Sequence, residues 1–302
     1  MDYNINELFG YNKDYLTRTY NFLESQRIRN AEKLPSRWRS LNIVLKVSCE
    51  HEDYVVKKMS NGQDNNEIER VKLMRRTYPA ITPPLFLVEG NDCYTMGYIE
   101  GKSFFNLSRN ERAEKIAIAG KMLKHAYFGD GFAENVVMHD ISEKVREGFE
   151  RYREKRKQYF NEKELRLQEK DFERFREVPD QLSHNDLNAA NLIYNHDIKI
   201  IDPSEEGYND IARDIGRYCA SCFFNNYDCF GNDKQHSIEI ARAFLESFDE
   251  TTLKRAKYYV GESFLAFLGF NTETTDKEVL KQLSVNMLTR DDEITNIMEE
   301  SL

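Results

Sequence analysis

The chain has 302 residues, a hydrophobic fraction of 40% and a formal net charge of −9. Such a composition can build a packed core and excludes a disordered chain; no apolar run reaches the roughly 18 residues of a membrane-crossing helix, and the acidic balance argues against a nucleic-acid backbone as partner. Acidic and basic residues balance over 1–101, so the whole −9 falls on 102–302, a field that favours a cationic or neutral partner.

The length exceeds what a single core usually fills, roughly 250 to 300 residues, so two lobes are expected. The five cysteines (Cys49, Cys93, Cys219, Cys222, Cys229) are an odd number without framework spacing, which points to reduced thiols. Cys219-Ala-Ser-Cys222 lies in an apolar helical segment with no second ligand pair after it, so core packing is expected rather than zinc. The opening Met1-Asp-Tyr-Asn-Ile-Asn-Glu-Leu8 has neither a basic nor an apolar leader segment, so a cytoplasmic location is expected.

In chain order, residues 1–30 carry little apolar clustering beyond Leu8-Phe9 and Tyr20-Asn-Phe-Leu23, which allows a leading helix or strand. A polar loop, Pro35–Asn42, precedes two β-rich runs, Leu41–Ser48 and Tyr54–Met59, joined by the turn Cys49–Asp53. Alternation sends Lys57 and Lys58 to opposite faces. Residues 62–78 read as a helix with Glu67, Val71, Met74 and Tyr78 on one stripe, ended by Pro83-Pro84. Leu85–Val88 and Cys93–Gly97 form a hairpin around Glu89–Asp92, followed by Met96-Gly-Tyr-Ile-Glu-Gly101. Residues 109–126 are helical, with Ile116, Ile118, Met122 and Leu123 apolar and His125 read as a packing residue. Residues 140–178, dense in Lys, Arg and Glu, predict one long helix or two with a wide solvated face. Residues 233–302 are helical by pattern.

Between these lies Leu182-Ser-His-Asn-Asp-Leu-Asn-Ala-Ala-Asn191, then Leu192–Tyr194, the turn Asn195–Asp197, and Ile198–Ile201 before Asp202. The two apolar runs predict a hairpin that returns Asp202 to a loop carrying Asp186 and Asn191. An amide oxygen and a carboxylate suit magnesium, which takes oxygen ligands from one or two side chains and the rest from phosphate and water. Asp186 is then left to accept the proton of an attacking hydroxyl.

His184-Asn-Asp-Leu-Asn-Ala-Ala-Asn191 with Ile201-Asp202, and then Gly207-Tyr-Asn-Asp-Ile-Ala-Arg-Asp-Ile-Gly216, resembles the aminoglycoside phosphotransferase and choline/ethanolamine kinase superfamily. Its usual form is His-Gly-Asp-Leu, a few residues, Asn, a hairpin and Ile-Asp. The resemblance implies a two-lobe, protein-kinase-like α+β fold: an antiparallel-sheet N-lobe over 1–101 and a mostly helical C-lobe over 102–302. It implies transfer of the γ-phosphoryl group of ATP, or GTP, to a hydroxyl of a small acceptor such as an aminoglycoside, an amino alcohol or a sugar-like compound, with Mg2+ as cofactor. Asp186 is then the catalytic base, and Asn191 and Asp202 are the metal ligands. Lys57, preferred over Lys58, meets the nucleotide phosphates with Glu67 as its partner and Glu69 the alternative. Met96, Gly97 and Ile99 take the adenine, while Glu205, Glu206 and Tyr208, with Asp210 nearby, face the acceptor and favour a cationic one. His184 and Asp214 brace the loop. Two departures stand out: no glycine-rich phosphate loop precedes the strands, leaving Ser36, Arg37 and Arg39, and the Phe of the family's Phe-Asp-Ile-Gly is Arg213. A nucleotide-binding pseudokinase scaffold is the rival of a different class. A protein kinase would need an activation segment after Asp202, and none is visible.

Overall fold

The structure, a computed structural model, describes residues 16–34, 42–59, 66–129, 137–151, 153–204, 210–229, 233–268 and 277–302. The chain divides into two units, 1–100 and 101–302. In the first, helix α1 (Thr17–Ser25) leads into β1 (Asn30–Lys33), β2 (Ile43–Ser48) and β3 (Asp53–Lys58); α2 (Asn66–Thr77), β4 (Leu85–Glu89) and β5 (Cys93–Gly97) follow. The strands form one antiparallel sheet in the order β1-β2-β3-β5-β4.

Alternation gives this sheet two apolar faces. Tyr54 and Val56 of β3 pack with Leu45, Val47, Cys93 and the α1 residue Leu23, while Met59 and Tyr94 pack with Ile68 of α2. The Glu89 carboxylate accepts from the backbone N–H of Arg18 and Thr19 (2.7 and 2.8 Å), so the end of β4 caps the start of α1.

The second unit opens with the short strand β6 (Lys102–Ser103) and the long helix α3 (Arg109–Phe128). Helix α3 starts at a capping box in which Ser108 and Glu111 satisfy each other's backbone N–H. The charged stretch after it is helical on both sides of one described turn, at 157–161. Its helical spans are α4 (Ser142–Arg151), α5 (Arg153–Arg156) and, after the turn, α6 (Glu162–Lys170). The reason is local: Asn161 and Glu164 form a second reciprocal cap (3.0 and 2.8 Å), which restarts the helix after a turn.

Strands β7 (Met138–His139) and β8 (Val178–Pro179) pair with each other, and β9 (Leu192–Tyr194) and β10 (Ile198–Ile200) form a hairpin whose β9 also pairs with β6. Helices α7 (Ile211–Cys229), α8 (Lys234–Leu245), α9 (Glu250–Phe267), α10 (Lys277–Thr289) and α11 (Ile294–Ser301) complete the unit. Helix α7 is its centre, packed against α8 and α9. At Gly216 a Cβ would stand 2.4 Å from the Ala256 carbonyl oxygen, so only glycine permits this approach of α7 to α9.

Cys219 and Cys222 are buried free thiols inside α7. His125 is exposed rather than packed; the buried residue at that end of α3 is Tyr127. Among the described residues, no helix is long and apolar enough to cross a membrane.

Candidate active site

The loop between β8 and β9 is held by specific hydrogen bonds. Asp214, in the first turn of α7 and fully buried, accepts from the backbone N–H of His184 (2.5 Å) and Asn185 (2.7 Å) and from the Tyr127 hydroxyl (2.8 Å). Burial raises this carboxyl above the ordinary aspartate range, against the pull of those donors. The His184 ring ties the loop to the hairpin end: Nδ1 accepts from the Asp186 N–H (3.3 Å) and Nε2 donates to the Ile201 carbonyl (2.8 Å). A backbone N–H only donates and a carbonyl only accepts, so the ring carries its proton on Nε2. The His184 carbonyl in turn accepts from the Ser204 N–H at 3.0 Å.

Two residues of this frame are left-handed, Asn185 (φ 66°) and Asp202 (φ 63°). Asn and Asp are the non-glycine residues that best tolerate that conformation. At position 185 the backbone therefore admits glycine, asparagine or aspartate most readily, and this chain has Asn185. The Asn185 side chain accepts from the Ser183 hydroxyl at 2.9 Å.

Within the frame, the Oδ1 of Asp186 accepts from Arg217 Nη2 (2.6 Å) and Asn188 Nδ2 (3.3 Å). Its Oδ2 has no partner among the described residues, and the side chain is 34% exposed. Asn191 is buried and donates through Nδ2 to the Asp186 carbonyl (2.9 Å), so Oδ1 is the atom it can offer a ligand. The Ile201 N–H reaches the Asn191 carbonyl (3.0 Å), which sets Asn191 across from the residue before Asp202, itself exposed. One amide oxygen and one carboxylate make a small, hard donor set, which fits magnesium. Among the described residues, no three His, Cys, Asp or Glu side chains gather to hold a metal by themselves.

In the first unit, Lys57 Nζ lies 2.8 Å from Glu67 Oε1, which also accepts from the Tyr94 hydroxyl at 2.8 Å. Lys58, on the other face of β3, is paired with Asp92 at 2.5 Å, and Glu69 is paired with Lys72 on the surface. Met96 is half-buried on β5. The Gly97 N–H donates to the Pro84 carbonyl (2.9 Å), so that donor is committed inside the sheet. The Ile99 backbone has no hydrogen-bond partner among the described residues. Glu205, Glu206 and Tyr208, and the loop 35–41 with Ser36, Arg37 and Arg39, lie outside the described residues. Asp210 does not face an acceptor: it is fully buried and paired with Arg255 at 3.2 Å.

Beside Asp186 the second unit has a cavity of about 400 Å³, walled by α4, α5, α7 and α9 and lined by Arg156, Arg213, Arg217, Glu262, Tyr258 and Phe149 among others. Arg217 belongs both to this lining and to Asp186. Sequence reasoning missed Arg217 and Tyr127. The signal for Arg217 was there: Arg213 and Arg217 stand four apart, on one face of an otherwise apolar helix just after the loop.

Neither a family model nor a curated protein sequence matches the chain. Solved structures do. The ADP-bound aminoglycoside phosphotransferase APH(2'')-Ib superposes with a TM-score of 0.51 at 17% identity, over 90% of this chain and 99% of that one. The ethanolamine kinase of Plasmodium vivax gives 0.51 at 12% identity, over 94% and 82%. The choline kinase LicA of Streptococcus pneumoniae gives 0.52 at 13%, over 92% and 99%. Likeness at such identities speaks for architecture, and on it this chain has the α+β kinase-like fold that aminoglycoside phosphotransferases and choline and ethanolamine kinases share.

Proposed function

We propose that the chain is a small-molecule kinase that transfers the γ-phosphoryl group of ATP or GTP to a hydroxyl of a small acceptor. The observation that carries this reading is the state of Asp186. Its backbone is clamped by His184 and Asn191, its Oδ1 is occupied by Arg217, and its Oδ2 is open. An acceptor hydroxyl placed at Oδ2 gives up its proton there as its oxygen attacks the γ-phosphorus, the bond from that phosphorus to the β–γ bridging oxygen breaks, and the nucleoside diphosphate leaves. Asn191 and Asp202 would hold magnesium, which supplies charge neutralisation at the phosphates when bound. Lys57, oriented by Glu67, anchors phosphate oxygens in this reading, and the Ile99 backbone and Met96 side chain receive the adenine, with Gly97 limited to its carbonyl. Because such catalysis is mostly positioning and electrostatics, ligand and base matter alike. The acceptor is a small hydroxyl compound, for which the sequence resemblance suggests amino alcohols, aminoglycosides and sugar-like compounds; the case for a cationic one rests on Glu205, Glu206 and Tyr208.

The test is ADP or GDP release with magnesium and ATP or GTP across a panel of aminoglycosides, amino alcohols, sugars and hydroxy acids. Turnover with one acceptor should fall by at least about a hundredfold in Asp186→Ala, the scale of a lost general base. Asp202→Ala should be at least as damaging, and the exposed control Glu246→Ala should behave as the parent. Equal losses at Glu246 would overturn the assignment. No thermal shift with saturating nucleotide would overturn nucleotide binding itself, since about 2.7 kcal/mol is expected at a hundredfold excess over Kd.

A further inference from the structure

The cavity beside Asp186 has a charge opposite to that of the molecule around it. The chain carries −9, yet the described ionisable residues lining this cavity include three arginines, Arg156, Arg213 and Arg217, against the single acid Glu262. Two of these charges answer each other. Arg156 is almost fully buried and spends Nη2 on Glu262 (2.6 Å) and Nη1 on Gln168 (3.1 Å). Arg217 answers Asp186 through Nη2 alone.

A guanidinium has five donors in a planar fork, shaped for the paired oxygens of a carboxylate or phosphate. Among the described residues, Arg217 has no partner besides Asp186, so the rest of its fork is available to the cavity it lines. Arg213 lies one turn before it on the same face of α7 and lines the same cavity. It stands where the resembled family carries Phe, so a basic group replaces an apolar one. Deeper in, two buried polar atoms lack partners, the donor Nε of Arg156 and the acceptor Oε1 of Glu262. Buried polar atoms without partners are costly, and a polar ligand would satisfy them. Phe149 and Tyr258 supply apolar wall, and the volume of about 400 Å³ suits a small metabolite.

We infer that this cavity takes an acceptor bearing an anionic group, a carboxylate or a phosphate, which Arg213 and Arg217 grip while the hydroxyl to be phosphorylated lies at Asp186. This deepens the kinase reading and rests on it for the words acceptor and hydroxyl; the anion site itself does not. The shared arginine explains how one side chain could register both ends of the ligand. It holds the anion from one side and Asp186 from the other, so the hydroxyl is set at a fixed reach from the charge. The one described acid of the lining, Glu262, is already paired with Arg156.

The experiment is calorimetric and thermal-shift titration of the full chain with matched probes: glycerol, ethanolamine, glycerate and glycerol 3-phosphate. Saturable binding of glycerate or glycerol 3-phosphate, with none of glycerol or ethanolamine, is the expected result, and the stronger of the two names the anion. Arg217→Gln and Arg213→Gln should each weaken that binding by about tenfold or more, the scale of a lost charge-assisted hydrogen bond, while Arg217→Lys retains part of it. The ATP-induced shift, measured alongside, should persist in both variants. Failure of both anionic probes on the parent protein, or equal binding by the parent and both variants, overturns the inference, whatever the folding of any variant. A normal ATP shift beside that failure leaves the kinase reading standing. Loss of the ATP shift with anion binding intact removes the kinase reading and leaves the anion site.

Discussion

Lys57 and Lys58 are adjacent, both buried and both paired, and only the face of β3 distinguishes them. Lys57 meets Glu67 from the face that carries α2, whereas Lys58 meets Asp92 near the far end of the hairpin. Their variants should therefore differ in kind. Lys57→Met should raise KM for nucleotide and lower kcat with a modest loss of stability. Lys58→Met strips a buried cation from Asp92 and should cost about 3 kcal/mol in urea unfolding, with nucleotide KM close to the parent value. The reverse pattern would exchange the two assignments. Alternation in the sequence separates these lysines but cannot rank them, because each finds its acid only in the folded sheet. Arg217 shows the same limit: a single arginine on a helix acquires meaning only when Asp186 arrives from 31 residues earlier. The loop and hairpin that carry Asp186, Asn191 and Asp202 were readable because the hairpin 192–200 sets the return of Asp202 toward Asn191, and that spacing is a local property of the chain.

Among the elements, α7 has the most to hold. One turn of it carries Arg213, which lines the cavity, Asp214, which braces the loop, Gly216, which sits on α9, and Arg217, which reaches Asp186. Gly216→Ala should thus act at a distance. The added methyl meets the Ala256 carbonyl oxygen and Tyr259 Cβ, forcing α7 off α9 at a cost of about 2 kcal/mol. Turnover should fall with stability, because the helix carries the brace and the arginines as it moves. Full activity at reduced Tm would show that the loop holds its geometry without α7. The same helix sets a thiol test. Burial pushes Cys219 up to about 12, and Cys49 and Cys93 on the first unit's sheet up to about 11 and about 12. The thiolate is the reactive form, so at pH 8 none of these should be alkylated in the folded protein, and all should react in urea. Helices α3 and α7 through α10 could be read from their apolar stripes; the place of the turn between α5 and α6 could not, since the cap at Asn161 sits in a run of charges without an apolar stripe to mark it.

At the scale of the whole molecule, the second unit carries the entire excess of negative charge and also the basic cavity. These act over different distances. The net charge is felt tens of ångströms away in dilute buffer, where the screening length is about 30 Å, and fades when it shrinks to about 8 Å at physiological ionic strength. The arginines act only at contact. A polyanionic nucleotide, and an anionic acceptor, would approach against the field and then be held by the lining. Raising salt from about 10 mM to about 150 mM should consequently increase kcat/KM for an anionic acceptor, measured with nucleotide saturating, and leave a neutral one little changed. A fall with salt would mean that the local arginines, not the net charge, govern approach. Encounter would then be the slow event and retention the long one, a kinetic character in which residence on the protein, rather than the rate of collision, selects what is phosphorylated.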